Sequence, residues 1–73
     1  MNRVTFNPKV LGGKPVIKGT RISVDFILEL FASGMREEEI LQEYPRLTRA
    51  DIRAALEYAA RSIKREELIF TAK

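Results

Sequence analysis

The chain has 73 residues with no Cys, no His and no Trp, which excludes a disulfide framework, thiolate or imidazole metal sites and every nucleophile–imidazole catalytic pair. Thirteen Lys and Arg against ten Asp and Glu give a formal charge of +3, and basic character at this size points to a binding module rather than an enzyme. A single domain this small buries only about 60% of its unfolded surface, so association with a second copy is a natural way to enlarge the core.

The charge is segregated along the chain. Residues 1–24 carry five cations and no acid, residues 25–45 net −5, and residues 46–73 net +3. Acids on solvated faces and at helix N-termini account for the middle block. The acid-free first block suggests a surface that meets an anion, and nucleic acid is the commonest large one. The N-terminus lacks an apolar run of leader length, and Asp25, Glu29 and Gly34 interrupt the most apolar stretch, so a soluble, cytoplasmic protein without membrane spans is expected.

In chain order, residues 3–6 read as a short strand and Asn7-Pro8 as a turn. Val16-Ile17 and Arg21-Ile22-Ser23 read as the arms of a small hairpin with Gly19 in its turn. From Ser23 the period becomes helical. Ser23 is the N-cap, Val24, Ile27, Leu28 and Phe31 form one face, and Gly34 is the stop. Phe26 and Leu30 make a second apolar edge, which suits a partner surface. A second helix starts with Glu37, Glu38 and Glu39, buries Ile40, Leu41 and Tyr44, and ends at Pro45. Thr48 through Asp51 fits a capping box, and the third helix carries a core stripe of Ile52, Leu56, Ala59 and Ile63 to about Arg65. Ile22 with Ile27, Met35 with Ile40, and Leu47 with Ile52 occupy hydrophobic-staple positions at the three helix starts.

The fold expected is therefore mainly α: a three-helix, homeodomain-like helix-turn-helix core (residues 24–65) behind a basic hairpin segment (1–23), with a C-terminal tail (66–73). A short helix, a tight turn and a longer helix with a basic tip is the arrangement that enters a DNA major groove. Arg49 and Arg53 are placed to reach phosphates or guanine edges, Ala50 permits close approach, Thr48 sits at the tip, and Arg46 in the turn suits a backbone phosphate. Lys14, Lys18 and Arg21 are candidates for a second phosphate-binding element. Alternatively the three helices are a generic core with solvated arginines, and the lysines only keep an edge hairpin soluble. In the tail, Leu68, Ile69 and Phe70 pack back on the core, pair as a strand with residues 3–6, or form an apolar handle for a partner. Gly12-Gly13-Lys14 is no phosphate loop, because Pro15 follows and no helix begins there; no metal or other cofactor is implied.

Three runs, GGKPVIKGTRISV at 12–24, EEILQEYPRLT at 38–48 and DIRAALEYA at 51–59, resemble domain of unknown function family 433. The resemblance covers about residues 4–60. It implies a homeodomain-like DNA-binding fold, no enzymatic activity, and kinship with VapB-like antitoxins of type II toxin–antitoxin pairs. It further implies a dimer on operator DNA and a PIN-like or Mut7-C-like nuclease toxin as partner. Alternatively, the apolar first helix and Leu68-Ile69-Phe70 suit a protein-interaction module that inhibits a partner nuclease without binding DNA. Arg36 departs from the Ser or Thr that members often carry before the acidic run, which removes a good N-cap at a cost of about 1 kcal/mol.

Overall fold

The computed structural model describes residues 3–71, with side chains through Arg65. Strand β1 (Val4–Phe6) pairs antiparallel with β2 (Pro15–Ile17), Val4 opposite Ile17 and Phe6 opposite Pro15. Helices α1 (Val24–Ala32), α2 (Glu37–Glu43) and α3 (Arg49–Thr71) follow. The chain is thus mainly helical, with a two-stranded N-terminal hairpin, as the sequence pattern implies.

The helix boundaries follow from their caps. Ser23 Oγ accepts from the Phe26 N–H at 3.1 Å and starts α1. At the other end Gly34 has φ +101°, and the Met35 and Gly34 amides return to the Leu30 and Phe31 carbonyls in a Schellman motif. The α2 start lacks a side-chain acceptor at Arg36, but the Glu39 carboxylate accepts from the Arg36 N–H at 2.8 Å, so half of a capping box survives. Thr48 and Asp51 close a full box on α3, with the Asp51 N–H to Thr48 Oγ1 at 3.1 Å and the Thr48 N–H to Asp51 Oδ2 at 3.0 Å.

The core lies where α1, α2 and α3 meet β2. Its buried members are Ile17, Val24, Ile27, Ile40, Leu47, Ile52 and Ala55. Ile27, Ile40 and Ile52 are the inner partners of the three staples, and each is at most 1% exposed. Ile22 and Met35 pack half-buried against the cluster. The staples therefore fix the entry angle of each helix and supply the centre of the core together.

Four expectations change. Of the stripe expected to face the core on α3, Ile52 and Ala59 pack inward, but Leu56 and Ile63 are 41% and 56% exposed, because Ala55 rather than Leu56 takes the inward position on that turn. The anticipated hairpin between residues 16–17 and 21–23 shrinks to a Val16–Ser23 bridge and one bond from the Ile17 N–H to the Ile22 carbonyl at 2.9 Å. Thr20 explains this: its Oγ1 donates to the Ile17 carbonyl and accepts from the Ile22 N–H, which closes the turn so tightly that Ser23 already caps α1. The partner of residues 3–6 is β2, not the C-terminal tail. The third helix does not stop near Arg65 but continues to Thr71, so residues 66–71 belong to α3 rather than to a separate tail or strand. No proline or glycine after Arg65 interrupts the helix.

Candidate functional site

The turn between α2 and α3 is built by the Leu47 N–H bonding to the Tyr44 carbonyl at 2.9 Å, with Leu47 buried beneath it. Burying Leu47 turns its neighbours Arg46 and Thr48 outward, and both are exposed. Arg46 Nη2 donates to the Gly19 carbonyl at 3.1 Å, across 27 residues of sequence. That bond docks the tip of the 17–22 turn onto the α2–α3 turn. Gly19, Thr20, Arg21 and Arg46 line one open groove of about 410 Å³. The turn can be this tight because Gly19 adopts φ +82°.

Along α3, Arg49, Ala50, Arg53 and Leu56 share a second groove of about 570 Å³ with Glu37 from the first turn of α2. Arg49 Nη1 meets Glu37 Oε2 at 2.7 Å, so this guanidinium is oriented by an acid that also opposes a phosphate. Among the described residues no ion pair engages Lys18, Arg21 or Arg53, and all three side chains are exposed.

The structure thus places Arg21 beside Arg46 at the α2–α3 turn, and Thr48, Arg49, Ala50 and Arg53 at the start of α3 that follows it, with Lys18 inside the 17–22 turn. Lys14 does not join them. It precedes β2 while Lys18 follows it, and its Nζ pairs with Asp25 Oδ2 at 3.1 Å beside α1. Asp25 also accepts from the Ser23 hydroxyl. These two bonds, the Ser23 one foremost, hold the Asp25 carboxyl below the usual 3.8.

Of the residues expected to meet a protein partner, Phe26 and Leu30 are half-buried. Phe26 packs edge-on to Tyr44, ring centroids 5.6 Å apart, and Leu30 leans on the core. The side chains of Leu68, Ile69 and Phe70 lie outside the described ones. An apolar groove of about 260 Å³ opens instead between α1 and α3, bordered by Pro15, Leu28, Ala59 and Ile63, and Ile63 is 56% exposed.

Sequence reasoning missed the role of β1. Arg3 Nη1 reaches Asp51 Oδ1 at 3.1 Å and Phe6 packs on Tyr58, ring centroids 5.9 Å apart, so the strand is tied to α3 across some fifty residues. The available signals were Arg3 within the acid-free block and Asp51 standing where a capping box usually has Glu, but neither names its partner. Among the described residues no three carboxylates gather as a metal site, and no helix is long and apolar enough to cross a membrane.

Residues 4–59 match the family described as Protein of unknown function (DUF433). The chain belongs to this family. It is 30% identical to a DUF433 member protein from Anabaena variabilis ATCC 29413 whose crystal structure superposes with a TM-score of 0.82, over 97% of this chain and 70% of that one. It is also 41% identical over 56 residues to the uncharacterized protein y4eO of Sinorhizobium fredii (strain NBRC 101917 / NGR234), matching 77% of this chain. The chain spans 25% of the length of that relative, so this DUF433 unit also occurs within a longer polypeptide.

Proposed function

We propose that this DUF433 chain is a DNA-binding regulator of the antitoxin kind, which binds operator DNA as a dimer through a helix-turn-helix formed by α2 and α3 and restrains a PIN-like nuclease. One observation carries the DNA half of the reading. The Arg46–Gly19 bond sets the 17–22 turn, with Lys18 and Arg21, against the α2–α3 turn that leads into Arg49 and Arg53. Ala50 there has only a methyl group, so a base edge can come close, while Arg53 has the reach and the free donors for a guanine edge. Arg21 and Arg46 flank the tip as phosphate contacts, which position a duplex without reading its sequence.

The α1–α3 groove supports the partner half, since an apolar slot beside exposed Ile63 suits a helix or strand of the nuclease. Ile63→Asp should then abolish co-purification with the nuclease encoded in the same operon while leaving DNA binding intact.

The DNA half is tested by fluorescence anisotropy with the duplex upstream of the gene. Affinity should fall steeply as salt rises, because bound phosphates release counterions. Arg53→Ala should weaken binding to that duplex by about 1–3 kcal/mol and leave binding to an unrelated duplex little changed. No binding at low salt would overturn the reading.

A further inference from the structure

A fourth groove, of about 450 Å³, lies between β1 and the middle of α3, apart from the duplex-facing tip and sharing only Tyr58 with the apolar slot. Arg3, Phe6, Ala54, Glu57, Tyr58 and Arg61 line it. We propose that this groove binds a nucleotide with an unpaired base: the base stacks on Phe6 and its phosphate meets Arg61. The proposal stands apart from the duplex reading and can survive its failure.

Each wall has a matching chemical role. Phe6 is 57% exposed although one side of its ring rests at 60° against Tyr58, so it presents a supported aromatic shelf to solvent. Base–aromatic stacking of this kind tolerates any base, because every base has a π-face. Arg3 is half-exposed and not free to wander, since Asp51, with a side chain only 10% exposed, holds Nη1 at 3.1 Å. Its remaining guanidinium donors are left for a base carbonyl or ring nitrogen. Glu57 can accept from an exocyclic amine, the group that adenine and cytosine offer. Arg61 is exposed at the far end and supplies the cation for a phosphate, and Ala54 keeps the floor low. In a duplex the base faces are covered by their neighbours, so this arrangement selects an unstacked base, whether from a single strand or from a free nucleotide.

The test uses the whole chain with a short fluorescein-labelled single-stranded oligonucleotide of mixed sequence, read by anisotropy. Tyrosine emission is a second signal, because the chain has two Tyr and no Trp and Tyr58 borders the groove. Binding with quenched tyrosine emission is expected. Phe6→Ala should weaken it roughly tenfold or more, whereas Phe6→Tyr should retain it. Arg61→Glu, at an exposed position where folding is not at stake, should also weaken it and flatten its salt dependence. Arg36→Ala, at an exposed cation outside the groove, should leave it unchanged, which separates this groove from general surface charge. Displacement by adenosine or cytidine monophosphate assigns the groove to free nucleotides, and displacement by unlabelled strand alone assigns it to single strands. Absence of binding at low salt, or equal affinity in wild type, Phe6→Ala and Arg61→Glu, would overturn the proposal.

Discussion

Asp51 shows how much one residue can join. It caps α3 through the Thr48 N–H, anchors Arg3 of the N-terminal segment, and is buried apart from that ion pair. The capping role was legible from Thr48 three residues back. The Arg3 contact was not, because nothing local encodes a partner 48 residues away. Asp25 offers a titration test. The Ser23 hydroxyl and the Lys14 ammonium depress its folded-state pKa, so the carboxylate stabilises the fold above its ordinary value of 3.8. That contribution is lost as pH falls through the lower folded value. The melting temperature of wild type should therefore exceed that of Asp25→Asn near neutrality, and the gap should close below about pH 4. A gap that persists in strong acid would place the effect elsewhere.

At the level of elements, helices were easier to read than strands. A helix announces itself through spacing and caps within a single stretch of chain, and α1 and α2 begin and end where Ser23, Gly34, Glu37 and Pro45 imply. The strands are three residues each, and their pairing depends on which edge is vacant when the helices have packed. Residues 22–23 hold one edge of β2 only by a single bridge because Ser23 is committed to capping α1, while β1 pairs along the opposite edge. The end of α3 was misjudged for a related reason: a stop at Arg65 required a tail that turns back, and no residue there makes it turn. The staple partners offer a packing test. Ile27 is completely buried at the centre of the cluster, so Ile27→Ala should destabilise the fold by about 2–5 kcal/mol with little change in m-value, read by urea unfolding.

On the scale of the molecule, the small core leaves most charge on the surface, and the fold decides which charges act together. The net +3 is divided so that Arg21 and Arg46 share one groove and Arg49 and Arg53 another along α3, while Lys14 is withdrawn to pair with Asp25. Arg46 is exposed and its one bond to Gly19 is a surface contact, so Arg46→Ala should shift stability by no more than about 0.5 kcal/mol. The same substitution should lower the salt slope of duplex binding by about one unit, measured by titration across a salt series. A large loss of stability would instead make Arg46 a structural strut between the two turns.

The sequence by itself determined the three helices, their caps, the isoleucines that meet at the centre, and the exclusion of thiol and imidazole chemistry, because periodicity, capping and composition are local properties. It also placed a basic tip on α3, since Leu47 must face inward and its neighbours then cannot. Only the tertiary structure decided that Arg46 reaches Gly19, that Lys14 leaves the basic group, and that Arg3 and Phe6 lie against α3 to open a groove between them. Apart from the Lys14–Asp25 pair, 11 residues apart, those contacts join segments separated by 27 residues or more, and such pairings are set by the packing of whole elements rather than by any stretch of chain alone.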